Sequence, residues 1–230
     1  MNKMFCVKSF LFFGLSFFAG LGMAAEMAVS GKNEIFDNPF IAVGYNPATK
    51  LITGYVLGLR AAPGQTDACQ LIFEGVAESK DSVEVSIRDA DDLSVGKGKT
   101  AAARLGRAIF SVKGGKRQLI IKNDALPGNC DFVLPFTNDG KVNVGEKETR
   151  ISMDGLDKGD WIMVRVVRAK RAYFHKQPNQ GSIDKAFLVA GDVMYIYETK
   201  PDWYYVKFKG AKKETVGWVK KQDVLSGSND

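Results

Sequence analysis

Chemistry in a chain of this kind would fall first to its thiols and its imidazole. His175 is the only histidine, and Cys69 and Cys130 are two of three cysteines, the third being Cys6 near the start. A cysteine hydrolase needs a thiolate beside an imidazole, and a zinc centre needs several nitrogen or sulfur ligands. One histidine is too few for most zinc sites. If Cys69 and Cys130 are joined, neither is left as a nucleophile for His175.

Three further groupings imitate functional motifs and fall short of them. Lys97-Gly98-Lys99-Thr100 resembles the end of a phosphate-cradling loop, but Leu93 stands where the first glycine is required and no parallel-strand context precedes it. It reads as a solvated turn. Asp89, Asp91 and Asp92 lie close enough to evoke calcium, yet the segment lacks the sharp glycine turn and the distal glutamate of such a loop. It reads as an exposed acidic turn. Lys97, Lys99, Arg104, Arg107, Lys113, Lys116 and Arg117 form a basic stretch that could attract an acidic partner and otherwise reads as a solvated polar face. Asp and Glu are plentiful, but nothing in their placement picks out the acid and base of a glycosidase. The expectation is a protein without catalytic residues, metal or cofactor.

The start of the chain indicates where it works. Lys3 and Lys8 precede an apolar run over residues 9–21, and Gly22, Ala24 and Ala25 follow. That order of basic, apolar and small is an export signal over residues 1–25, cleaved after Ala24 or Ala25. The apolar run is shorter than the roughly 20 residues that span a bilayer, and no other segment is long and apolar enough to do so. Cys6 lies ahead of the run, so it is not an acylated lipoprotein cysteine. The expected location is periplasmic or secreted, with no stable membrane span once the leader is gone. An even pair of cysteines in an oxidising compartment then predicts a Cys69–Cys130 disulfide. Without the two leader lysines the formal charge of +6 becomes +4. So modest an excess suits cell-wall polymers or acidic proteins and does not single out nucleic acid.

The remainder reads as all-β, because short apolar runs alternate with turn residues throughout. Residues 41–45 and 51–59 flank Asn46-Pro47-Ala48-Thr49 as a hairpin, 71–77 (opened by Cys69) and 83–87 follow as strands, and 108–112 and 118–121 embrace Gly114-Gly115 as a second hairpin. Residues 132–136 make a further strand after Cys130, so the disulfide would tie an early strand to a late one. Only 99–105, with Ala101-Ala102-Ala103, invites a helix. The polar stretch 145–160 separates this disulfide-tied domain, 26–155, a barrel or sandwich, from a second domain at 161–226. Residues 161–167 either open the second domain or bridge both.

In the second domain, Ala172-Tyr173-Phe174-His175, Lys185-Ala186-Phe187-Leu188-Val189, Gly191-Asp192 with 193–197, Asp202-Trp203-Tyr204-Tyr205-Val206, and Gly217-Trp218-Val219 with Val224-Leu225 make five short strands. Residues 168–225 resemble the bacterial Src-homology-3 domain family, a small five-stranded barrel of exported envelope proteins. Alternation in 203–208 puts Tyr204, Val206 and Phe208 on one face and Trp203, Tyr205 and Lys207 on the other. The resemblance implies a ligand groove lined by Tyr173, Trp203 and Trp218, with Tyr205 and His175 as neighbours; the alternative is that these rings complete a small core. In the first domain, Tyr45-Asn46-Pro47, Ile52-Thr53-Gly54-Tyr55 and Cys69-Gln70-Leu71-Ile72-Phe73 are weakly similar to small envelope β-barrels, including lysozyme-inhibitor-like proteins. The expectation is a non-catalytic binding protein for a peptide, from peptidoglycan or from an envelope protein. The alternative is an inhibitor or immunity protein against a cell-wall hydrolase or toxin.

Overall fold

A computed structural model describes residues 30–34, 37–78, 81–90, 106–126, 129–137, 140–209 and 214–225. The leader at 1–25, Asp91, Asp92, the Lys97-Gly98-Lys99-Thr100 segment, Arg104 and the expected helix at 99–105 lie outside the described residues.

The turn chemistry read from the sequence builds the first sheet. After β1 (Gly31–Lys32), β2 (Phe40–Asn46) and β3 (Leu51–Ala62) form a hairpin in full register. Asn46 Oδ1 accepts the Ala48 N–H at 3.0 Å inside the turn, a side chain standing in for backbone. The next strand, β4 (Gln65–Val76), is as long as β3, so Cys69 sits within it and does not open it. β5 (Ser82–Asp89), β6 (Gly106–Lys113) and β7 (Lys116–Lys122) continue the antiparallel run. Gly114 and Gly115 take φ of 61° and 75° in the β6–β7 turn, a conformation that costs a residue with a Cβ and is free for glycine.

Residues 132–136 are not a strand. Cys130–Val133 is a single helical turn, α1, and a 3-10 turn, Leu134–Phe136, follows with Pro135 in its first positions, where a missing N–H costs nothing. The Cys69–Cys130 disulfide therefore fastens β4 to a helix. With the cysteines 61 positions apart, it contributes about 4 kcal/mol on the chain-entropy account. The bond suits an oxidising compartment. Among the described residues no helix is long and apolar enough to cross a membrane.

The polar stretch 145–160 and the residues just before it supply strands as well. β8 (Val142–Val144), β9 (Glu148–Ser152) and β10 (Asp157–Lys158) complete a ten-stranded sheet in the order β10-β1-β2-β3-β4-β5-β6-β7-β9-β8. The sheet curls around one apolar core that includes Ile41, Val56, Leu71, Phe73, Val85, Phe110, Leu119, Leu134 and Ile151.

A second sheet holds β11 (Met163–Val166), β12 (Ala172–His175), β13 (Ile183–Leu188), β14 (Val193–Lys200), β15 (Trp203–Lys209) and β16 (Glu214–Lys220) in the order β11-β14-β15-β16-β12-β13. It has six strands, one more than the five read in the sequence, because β11 joins by pairing with β14. Its core gathers Phe174, Met194, Ile196, Tyr204, Val206 and Val219.

The two sheets meet over β2, β3 and β4, which explains why those strands read as nearly continuous apolar runs. On β4, Cys69, Leu71 and Phe73 face the first core while Ile72 faces the second sheet. A Cβ on Gly44 would lie 2.6 Å from the Met163 Cα, so only glycine lets β11 rest directly on β2. Trp161 bridges both sheets: its indole N–H donates to the Val43 carbonyl at 2.8 Å and its ring lies 4.6 Å from that of Tyr195. The Val164 N–H donates to Thr53 Oγ1. Beside these contacts, Glu74 pairs through one oxygen with Arg88 of β5 at 3.2 Å and through the other with Arg165 of β11 at 3.1 Å, all three side chains buried. A carboxylate shared in this way links the first sheet to the second by charge.

Candidate functional site

The sequence assigned Trp203 and Tyr205 to the opposite face from Tyr204 and Val206, and membership of the core follows that parity. Tyr204 and Val206 lie in the core of the second sheet. Trp203, Tyr205 and Trp218 belong to none of the three apolar clusters found among the described residues.

Cross-strand pairing assembles the other face. Tyr205 of β15 stands opposite Trp218 of β16, and Trp218 stands opposite His175 of β12. Such neighbours on one face of an antiparallel sheet interact directly. The Tyr205 and Trp218 rings are 5.3 Å apart. His175 meets Trp203 edge-on at 4.7 Å, an angle of 71°. Two lysines close over the rings: Lys200 Nζ lies 4.7 Å from the Trp218 ring and Lys220 Nζ 5.9 Å from that of Trp203. Trp203 and Trp218 are 9 % and 8 % exposed, so the cover comes from neighbouring rings and lysine stems.

Part of the hydrogen-bonding capacity of this cluster is unspent. Among the described residues neither the Trp203 nor the Trp218 indole N–H donates to a protein acceptor, and His175 Nδ1 is buried without a hydrogen-bond partner. Burial holds the His175 pKa below its ordinary value, and Lys220 adds to that, while the Asn179 backbone and Asp223 favour the charged form. Burial raises the pKa of Asp223 against the pull of Lys220, Arg168 and His175. At neutral pH the imidazole is uncharged and the lysines supply the cations of the face.

Of the five residues implied by the resemblance, four come together. Tyr173 stands apart: a register shift follows it in β12, and its ring packs on Phe187 of β13 at 5.6 Å, with the Arg171 guanidinium 4.7 Å over Phe187. Lys200, Lys220 and Phe187 were not singled out in the sequence. Lys220 was legible as the residue two positions beyond Trp218, hence on its face. Lys200 is placed by its pairing with Trp203, which no local pattern announces.

The described part of the basic stretch is ordinary surface or structure. Arg107 of the basic stretch pairs with exposed Glu84 at 2.7 Å, and the Arg117 N–H donates to Asp154. Among the described residues no three His, Cys, Asp or Glu side chains gather in a way that could hold a metal. Compared with known proteins, the chain matches no family model, no curated protein and no solved structure.

Proposed function

We propose that this chain is a non-catalytic binding protein of the cell envelope, periplasmic or secreted, that holds a peptide against the Trp203, Tyr205, Trp218 and His175 face. The observation that carries the reading is a pair of tryptophans outside the apolar clusters of the described residues, with indole N–H groups that meet no acceptor among those residues and with lysine side chains and neighbouring rings for cover. A tryptophan kept for packing normally has its N–H satisfied, as Trp161 does. Rings with free donors and flanking ammonium groups suit a ligand with apolar bulk, backbone carbonyls and a carboxylate, which describes a peptide. The strand pattern of 168–225, similar to the bacterial Src-homology-3 family, supports the same ligand class, as does the export signal at 1–25.

A peptidoglycan stem peptide and a segment of an envelope protein both fit that chemistry. The full mature chain is incubated with purified peptidoglycan at low salt, beside a Trp218→Ala variant. Retention of the wild type and loss of the variant is the expected result; equal behaviour of the two, retained or not, overturns the assignment to this face. Recovery of one stoichiometric hydrolase from periplasm, with no wall fragments, turns the reading to an inhibitor.

A further inference from the structure

A second surface is built on the first sheet, where the disulfide pins α1 and the 3-10 turn behind it. Phe132 and Phe136 are four residues apart on this helical segment, which brings them to one side. Their rings are 6.1 Å apart and each is about half exposed, at 49 % and 48 %. The guanidinium of Arg60 from β3 lies against both, with its central carbon 3.7 Å from the Phe132 ring and 4.0 Å from the Phe136 ring.

The two rings, tilted at 58° to each other, partly withdraw the guanidinium from water. The Arg60 Nη1 is buried and has no hydrogen-bond partner. Acidic neighbours are close in the chain but engaged elsewhere or exposed: Asp67, directly opposite Arg60 in the β3–β4 register, accepts from Gln65 Nε2 at 3.4 Å, and Asp131 is exposed. Neither forms an ion pair with Arg60 among the described residues. A planar guanidinium offers its N–H groups at its edge, in the fork that fits a carboxylate, and aromatic rings around an arginine are what the buried centres of protein interfaces select. Because the rings are held by a cross-linked segment, little order need be gained on binding.

We infer that Arg60, Phe132 and Phe136 form a docking site for another protein, which presents there a carboxylate flanked by apolar or aromatic side chains. The site is independent of what the second sheet binds. The test uses the full disulfide-intact chain and the peptide acetyl-Phe-Glu-Phe-amide, followed by NMR at the Arg60 Nε–H and the Phe132 and Phe136 rings. A saturable shift is expected, at least about tenfold weaker for acetyl-Phe-Gln-Phe-amide and for the Arg60→Gln protein, as fits loss of a charge-assisted pair. Arg60→Lys, which keeps the charge without the fork, is expected to fall between. Trp218→Ala leaves this binding unchanged, which separates its failure from failure of the peptide reading. Equal binding of the two peptides, no saturable shift, or indifference to Arg60→Gln overturns the inference. So does Arg60-dependent binding to phosphatidylglycerol vesicles in place of the peptide, or a dimer of this chain abolished by Phe132→Ala.

Discussion

The three tryptophans are covered to nearly the same degree, at 7 % exposure for Trp161, 9 % for Trp203 and 8 % for Trp218, yet they are covered by different things. Trp161 lies between two sheets, with its N–H on a backbone carbonyl and with Val164 and Tyr195 in its cluster. Trp203 and Trp218 lie on the outside of one sheet, roofed by lysine stems and by each other's neighbours. Exposure alone does not tell a packing residue from a recognition residue. A strand cannot be moved aside by a ligand, whereas a lysine that rests on a ring gives up on the order of 1 kcal/mol to leave it.

The comparison breaks most easily at its strongest term. Trp161→Ala is expected to cost about 4 kcal/mol, for a large ring deleted from between two sheets and a backbone carbonyl left without its donor. Urea denaturation reads this as a lower midpoint. Glu74→Gln is next, at about 3 kcal/mol, since it removes the shared anion of two buried guanidiniums, one in each sheet. If the two sheets then melt separately, the interface is what couples them. Trp218→Ala is expected to cost less, about 2 kcal/mol, because lysine chains can settle into the space, and to abolish retention on the ligand. Should Trp218→Ala destabilise as much as Trp161→Ala and leave binding intact, the distinction between the two environments fails.

Turns were the most legible part of the fold, because their residues act locally. Asn46-Pro47-Ala48-Thr49 and Gly114-Gly115 each mark a hairpin the structure contains. Parity was equally readable in 203–208, where a twofold repeat sorts Tyr204 and Val206 inward. Hydropathy misled where burial fell on polar residues or exposure on apolar ones. In β9, Thr149 and Ile151 face inward between exposed Arg150 and its neighbours, so a polar stretch that looked like a linker is a strand. At 132–136 the apolar run looked extended, although Phe132 and Phe136 repeat at helical spacing and Pro135 suits the start of a turn. The contact of Arg60 with Phe132 and Phe136 was beyond local reading because Arg60 reaches the two rings from β3, far from them in the chain. The charge link of Glu74 to Arg88 and Arg165 is hidden for the same reason, as no single-strand pattern says that a buried arginine has a carboxylate waiting on another sheet.

The smallest expected effect is a slope with pH, and it belongs to the outer face alone. Around Trp161 the shifted groups are phenols: burial, with Tyr197 and Tyr55 adding, pushes Tyr195 far up, and burial with Asp160 and Glu214 pushes Tyr197 up to about 12, so both stay neutral and silent in acid. His175 behaves otherwise. Unfolded, it takes up a proton near pH 6.5; folded, its burial and Lys220 delay that uptake to lower pH. Between those two values the unfolded chain binds more protons, so stability falls as pH drops below about 6.5 and stops falling once the folded imidazole is charged too. Asp223 acts with the opposite sign, because its folded pKa is raised: just above its ordinary value of 3.8 the folded state binds more protons, and stability recovers as pH falls through that window. Urea midpoints measured across this range are expected to dip and then rise. His175→Gln removes the dip and keeps the rise, and Asp223→Asn does the reverse. A dip that survives His175→Gln would place the titrating group elsewhere and would remove the evidence that the outer ring cluster keeps its imidazole neutral.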